Sequence, residues 1–222
     1  MRRDSDNATA NIGFVGGELN TTYLNEFCNG ANGFVTTWFD QSSNGNDATQ
    51  TTAANQPKIY DSINGIIEVN GKPSIYFDGT GDSFVSSNLV GEARLDTYFV
   101  AKPNNDNFYI YPDGGNSYGY IVISGSTNTD LTNNYGTPSL YANSQLFTGT
   151  TSGDVHTFLN GTKLVVHQNG STVGWSTYTL GNYVSPFYNF DGYFSEFIAY
   201  DNDQSSNRTG IETNINDFYL IY

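Results

Sequence analysis

Asn-Gly and Asp-Gly pairs recur between short apolar runs: Asn64-Gly65, Asn70-Gly71, Asp78-Gly79, Asp113-Gly114, Asn160-Gly161 and Asn169-Gly170. These dipeptides accept the positive φ that tight hairpins require. A chain cut this often has little room for long helices, and helical periodicity is nearly absent. β-type runs are expected at residues 34–39, 65–69, 73–77, 95–101, 107–111, 118–123, 139–142, 156–159, 163–167, 175–180 and 193–200. "HTFLNGTKLVV" reads as a hairpin turning at Asn160-Gly161. In "DGYFSEFIAYD", strict alternation puts Tyr193, Ser195, Phe197 and Ala199 on one face. Phe194, Glu196, Ile198 and Tyr200 fall on the other. Both faces are partly apolar, as for a strand inside a two-layer fold. The tail reads as the one helix, capped by Ser205 or Ser206, with Ile211, Ile215, Phe218 and Tyr219 on a single face. With no linker and no second composition, the pattern implies one all-β domain, a two-sheet sandwich or jelly roll.

The core of such a domain would be aromatic. Hydrophobic residues make up 37% of the 222, yet Phe, Trp and Tyr reach 15%, with 17 Tyr and 15 Phe. Each buried ring removes about 150–250 Å² from water, so Tyr and Phe carry burial usually carried by Leu and Ile. Trp38, on a strand, is expected in the core.

Charge excludes several functions. The net charge is −14 with only 8 Lys and Arg. Binding nucleic acid through phosphates needs clustered cations, as does gripping an anionic membrane. Cys28 is the single cysteine, which rules out an intrachain disulfide or a Cys-based zinc site; it reads as a small buried hydrophobe. Two histidines, His156 and His167, are too few for a multi-His metal centre. No run of apolar residues is long enough to span a membrane. "MRRDSDNATAN" lacks the apolar stretch of a signal peptide. A surface rich in Asn, Thr, Ser and Gly is common among extracellular and virion proteins, so an extracellular or virion-surface location is expected. Asn-x-Ser/Thr triplets at Asn7, Asn20, Asn160, Asn169 and Asn207 are what chance produces in this composition.

Four stretches carry a resemblance: "RRDSDN" (2–7), "WFDQSSNGNDATQ" (38–50), "NGKPSIYFDG" (70–79) and "FDGYFSEFIAYD" (190–201). Together they resemble the concanavalin A-like jelly-roll superfamily. The branch is the one with laminin-G-like domains and the catalytic domain of family 54 α-L-arabinofuranosidases. The resemblance implies a two-sheet jelly-roll β-sandwich with a short C-terminal helix over residues 1–222. That branch usually has a further strand and a half before its R-R-S-S-D-N text. An edge strand is therefore expected to be missing or donated, or the chain to be part of a larger product. Ser43 replaces the usual Gly of that motif, which implies no positive φ there. The branch holds sugar hydrolases, sugar-binding modules, adhesins and phage structural proteins, so fold alone does not choose a function.

Retaining glycosidases need two carboxyls about 5–5.5 Å apart. The resemblance implies a Glu after an aromatic strand and a Gly-Asn turn. The matching "NFYIYPDGGNSYGY" offers only Asp113. It also implies an Asp in a Gly-rich loop before the last strand. The matching "LGNYVSPFYNF" has no acid before Asp191. No catalytic residue is therefore expected, Asp113 with Asp191 being the one rewired alternative. Glu196 reads as a structural acid partnered by Arg2, Arg3 or Arg94, since a buried carboxylate needs partners. In "DQSSNGND", Asp40, Ser42 and Asn44 suit backbone capping, so the stretch reads mainly as a corner. Its alternative is that Asp40, Asn44 and Asp47 ligate an ion or sugar hydroxyls. Asp78 and Asp82 form a candidate Ca²⁺ site. Tyr111, Asn116, Tyr118, Trp175, Tyr183 and Tyr188 form a candidate sugar platform of loop aromatics and amide.

The expectation from sequence is a non-enzymatic surface module of a virion or bacterial surface protein. It would bind cell-surface or polysaccharide glycans, and would contact other virion proteins or copies of itself. The alternatives are a glycoside hydrolase of arabinofuranosidase type and a purely structural decoration domain.

Overall fold

The computed structural model describes residues 1–86, 88–104, 108–109, 122–123, 139–149, 152–172, 178–181 and 189–222. These are mostly β-sheet with a few short helices. The largest sheet is antiparallel. Its order is Arg2–Arg3, Gly33–Phe34, Lys58–Asp61, Ile75–Asp78, Asp191–Tyr200, Leu95–Pro103, Lys163–Gly170, Ser139–Ala142 and Gln145–Leu146. Gly65–Ile66 pairs beside Lys58–Asp61. A second sheet runs Tyr178–Leu180, Phe84–Ser86, Ala48–Thr49 and Thr37–Trp38. Phe108–Tyr109 pairs with Val122–Ile123, inside two of the expected runs. Asn70 and Gly71, with φ of 53° and 72°, turn the hairpin that joins Glu68–Val69 to Lys72–Pro73. Two consecutive positive φ values are what a two-residue hairpin turn of this hand requires.

The two sheets share an aromatic core. Phe77, Phe99 and Phe194 of the large sheet meet Phe84, Tyr178 and Leu180 of the small one, and Trp38 packs against them. On the outer face of the large sheet, Tyr98, Val100, Leu164 and Val166 meet Ile215 and Tyr219. The strand Leu95–Pro103 is therefore covered on both sides, and its first seven residues are all buried.

Strict alternation fails in the last strand. Val100 faces Glu196 and Ala101 faces Phe194, so Ser195 is an extra residue, a β-bulge. The slip keeps Phe194 in the inner core with Phe197 and Ala199, and turns Glu196 outward with Ile198 and Tyr200. Without it, Glu196 would follow Phe194 into the aromatic core.

Helices also depart from expectation. Helix α1, Thr21–Cys28, was not anticipated. Its signals are present: Asn20 Oδ1 accepts the Tyr23 N–H at 3.0 Å, Leu24 and Cys28 are buried four residues apart, and Asn29 closes it with φ of 47°. Helix α2, Ser152–Leu159, replaces the strand expected at 156–159. A short apolar run does not distinguish strand from helix by period alone. Here Asp154 in the first turn favours the helix dipole and Leu159 is buried. The turn at Asn160-Gly161 exists, with Gly161 at φ 83°, but it joins a helix to the strand Lys163–Gly170. Helix α3, Arg208–Tyr219, buries Ile215 and Tyr219 as its pattern implied. Its cap is Asn207, without a side-chain bond, while the Ser205 hydroxyl is engaged by Asp203. Phe218 stays 38% exposed, with the Lys72 ammonium 3.8 Å from its ring centre.

Candidate active site

The strands Ile75–Asp78 and Asp191–Tyr200 run antiparallel, and their register ends on Asp78 opposite Asp191. Directly opposed residues hold their Cβ atoms about 4.5–5.5 Å apart. The turn that follows Asp78 makes room for the pair. Gly79 has φ of 76°, and a Cβ there would stand 3.0 Å from the Cβ of Asp191. Asp78 Oδ1 accepts the Thr80 N–H at 2.8 Å and the Thr80 hydroxyl at 2.7 Å. Asp191 Oδ1 accepts the Asn104 amide at 2.8 Å, with the Tyr76 hydroxyl 3.5 Å away. On the same face the rings of Tyr76 and Tyr193 lie 5.1 Å apart, and the Lys102 ammonium is 5.8 Å from the centre of Tyr193. Two carboxyls, an amide, a phenol, an ammonium and a pair of rings thus share one end of the sheet. The Tyr76 phenol is pushed up by burial and then by the charge of Asp191.

Asp82 supports this edge from inside. Its Oδ2 accepts the Asp78 N–H at 3.0 Å. Burial pushes its carboxyl up to about 6, and the charge of Asp78 adds to the effect. One oxygen of each carboxylate, Asp78 Oδ1 and Asp82 Oδ2, thus holds the turn through backbone N–H groups and the Thr80 hydroxyl. Among the described residues, no group of three or more His, Cys, Asp or Glu is arranged to hold a metal ion. A carboxyl raised in the folded state contributes stability that is complete below its unfolded value near 3.8 and is lost as pH rises through about 6. Asp82→Asn retains an acceptor for the Asp78 N–H without the charge. Its advantage in thermal melting over the parent chain should therefore open between those two pH values. It should reach about 1–2 kcal/mol at neutral pH, less than a two-unit shift implies because solvent screens part of it. An equal difference at every pH would show that Asp82 does not titrate there.

The corner at residues 40–47 is held by its own side chains. Asp40 accepts the Ser42 N–H and hydroxyl, each at 2.8 Å, and the Asn46 N–H at 2.9 Å; Asp47 accepts the Asp40 N–H at 2.8 Å. The Ser42 hydroxyl, foremost, holds the Asp40 carboxyl below its usual range. Ser43 nonetheless adopts φ of 71°, contrary to expectation. The corner keeps the left-handed residue even where Gly is absent.

Glu196 does not meet an arginine. Arg2 bonds Gln56, Arg3 bonds Asp6, and Arg94 bonds Asp96 and Asp203. Glu196 instead accepts the Tyr219 hydroxyl at 3.1 Å, and burial pushes its carboxyl up. It lines a cavity of about 410 Å³ beside the hairpin that pairs Phe14–Val15 with Glu18–Leu19. Asp113 and the expected sugar contacts Tyr111, Asn116, Tyr118, Trp175, Tyr183 and Tyr188 lie outside the described residues.

Comparison with known proteins bears on this geometry. Residues 1–74 match the family described as alpha-L-arabinofuranosidase B, catalytic. Comparison with curated proteins finds no match. Among solved structures, the chain is similar to a glutamate-to-glutamine mutant of a GH54 α-L-arabinofuranosidase soaked with 4-nitrophenyl α-L-arabinofuranoside. The TM-score is 0.60 at 15% identity, covering 96% of this chain and 57% of that one. The two share a fold, and this chain spans little more than half the length of that relative. The expectation of a non-enzymatic virion or adhesion module is overturned, because the matched family is one of catalytic domains. That expectation rested on two empty motif positions. It did not foresee that strand register would set Asp191 against Asp78.

Proposed function

We propose that the chain is a glycoside hydrolase domain of the α-L-arabinofuranosidase type, a single two-sheet jelly roll of concanavalin A kind, with Asp78 and Asp191 as its paired carboxyls. The observation that carries the reading is the match of residues 1–74 to a family of arabinofuranosidase catalytic domains. The geometry supports it independently. The pair sits at directly opposed strand positions, which brings the two carboxyls close together, as retaining glycosidases require of theirs.

In that mechanism one carboxyl protonates the leaving-group oxygen while the other attacks the anomeric carbon. Water then releases the sugar, with the first group acting as base. Thr80 and the Asn104 amide hold one oxygen of each carboxyl, which fixes where the remaining oxygens point. The Tyr76 and Tyr193 rings offer an apolar surface beside them, and the Lys102 ammonium an N–H donor to substrate hydroxyls. Asp82 is a positioning residue, acting through the Asp78 backbone. The substrate class is an arabinofuranosyl group on a polysaccharide or glycan, and the lysine-poor surface suits work outside the cell.

The test is hydrolysis of 4-nitrophenyl α-L-arabinofuranoside, with the anomeric configuration of the first product read by NMR. Release with retention is expected. No release from this or any other furanoside would remove the reading, and release with inversion would remove the close carboxyl pair as its basis.

A further inference from the structure

We propose that the cavity beside Glu196 is a second binding site, separate from the acidic edge, which takes a small organic ammonium with an apolar body. At about 410 Å³ the cavity lies within the usual size of small-molecule sites, and it has their composition, apolar walls with a few polar groups. Ile12, Leu24, Val35, Ile75 and Phe194 supply the walls. Phe14, Phe39 and Phe218 also line it, yet remain 54%, 43% and 38% exposed. They stand where the cavity meets solvent.

The charges of the cavity select the ligand. Its charged side chains are Glu18, Lys72 and Glu196. Glu18 and Lys72 are already paired at 2.8 Å, and Lys72 also lies over the Phe218 ring. Glu196 is left with the Phe197 backbone N–H and a Tyr219 hydroxyl that it shares with the Ser195 carbonyl, all neutral partners, and no basic side chain among the described residues pairs with it. A carboxylate taken from water without a counter-charge is costly. An ammonium entering the cavity supplies that charge, and the rings at the mouth attract the cation through their faces. An anion meets Glu196 and a net charge of −14. A neutral molecule of the same shape gains the walls but leaves Glu196 unbalanced.

The site is distinct from the proposed catalytic pair. Asp191 and Glu196 lie in one strand, separated by about 16 Å at about 3.3 Å per residue. Occupancy of the cavity therefore leaves the acidic edge open, and the proposal does not depend on hydrolysis.

Three probes of one shape decide it: benzylamine, benzyl alcohol and benzoate, titrated by calorimetry and by thermal melting at neutral pH. Benzylamine should bind saturably and raise the melting temperature by mass action. Benzyl alcohol should bind at least about tenfold more weakly, the effect of about 1.4 kcal/mol, and benzoate not at all. Glu196→Gln should bring benzylamine down to the level of the alcohol. Phe39→Ala, at an exposed position that does not threaten folding, should weaken benzylamine several-fold. The proposal is overturned if benzylamine fails to bind, if the alcohol binds equally well, or if both variants bind benzylamine as the parent does.

Discussion

Asp191→Asn is expected to lower kcat on 4-nitrophenyl α-L-arabinofuranoside by about 10²–10⁴-fold, the usual worth of a positioned proton donor or acceptor. KM should move little, because the amide keeps the size of the carboxyl and still accepts from Asn104. Asp78→Asn should cost a similar factor. The double variant should lose little more than the worse single one, since residues that act as a unit are strongly non-additive. Far-UV dichroism and melting curves would confirm that each variant is folded. Full activity in both single variants would sever the link between this carboxyl pair and hydrolysis, even if the parent chain is an active arabinofuranosidase.

The largest loss of stability is expected from Phe77→Ala, about 3–5 kcal/mol by the usual cost of emptying a large buried site. Phe77 is fully buried, and its ring meets Phe84, Phe190 and Phe194 at centroid distances of 5.8, 5.7 and 5.5 Å. Phe84 belongs to the small sheet and Phe194 to the large one, so this side chain joins the two. Domains are stable by about 5–15 kcal/mol in all, so such a loss should be plain in urea unfolding. Gly181→Ala offers a check on the same contact. A Cβ there would stand 2.4 Å from the Phe77 ring and 2.8 Å from the Asp82 carbonyl, on a backbone with φ of 95°. A Phe77→Ala variant that unfolds at the parent's urea midpoint would mean that the two sheets are held together elsewhere.

Both expectations rest on contacts that the sequence could not supply. The catalytic reading depended on which acid stands opposite which. Asp191 was recognisable as an acid beside the expected catalytic loop, and Asp78 as the first residue of an Asp-Gly turn. Nothing in either segment pairs them. Glu196 was legible as an unusual acid within an apolar strand, but its partner was assigned to an arginine when it is the phenol of Tyr219.

What the sequence determined by itself is what local chemistry decides. Asn-Gly and Asp-Gly turns formed where the left-handed region was needed, as at Asn70-Gly71 and Gly79. Among the described residues, the expected runs at 73–77, 95–101, 163–167 and 193–200 became strands, and the periodic tail became α3, because side-chain period and turn preference act within a few residues. Only the tertiary structure decided the rest. Residues 156–159 became helical through burial of Leu159. Ser195 bulged because Phe194 and Phe197 are both drawn into the inner core, leaving Glu196 to the outer face. Asp191 came to Tyr76 and Asp78 across more than a hundred residues, because strand order and register are set by the packing of two whole sheets. A one-residue slip in that register would send every side chain of the strand to the opposite face, so no short segment can encode it alone.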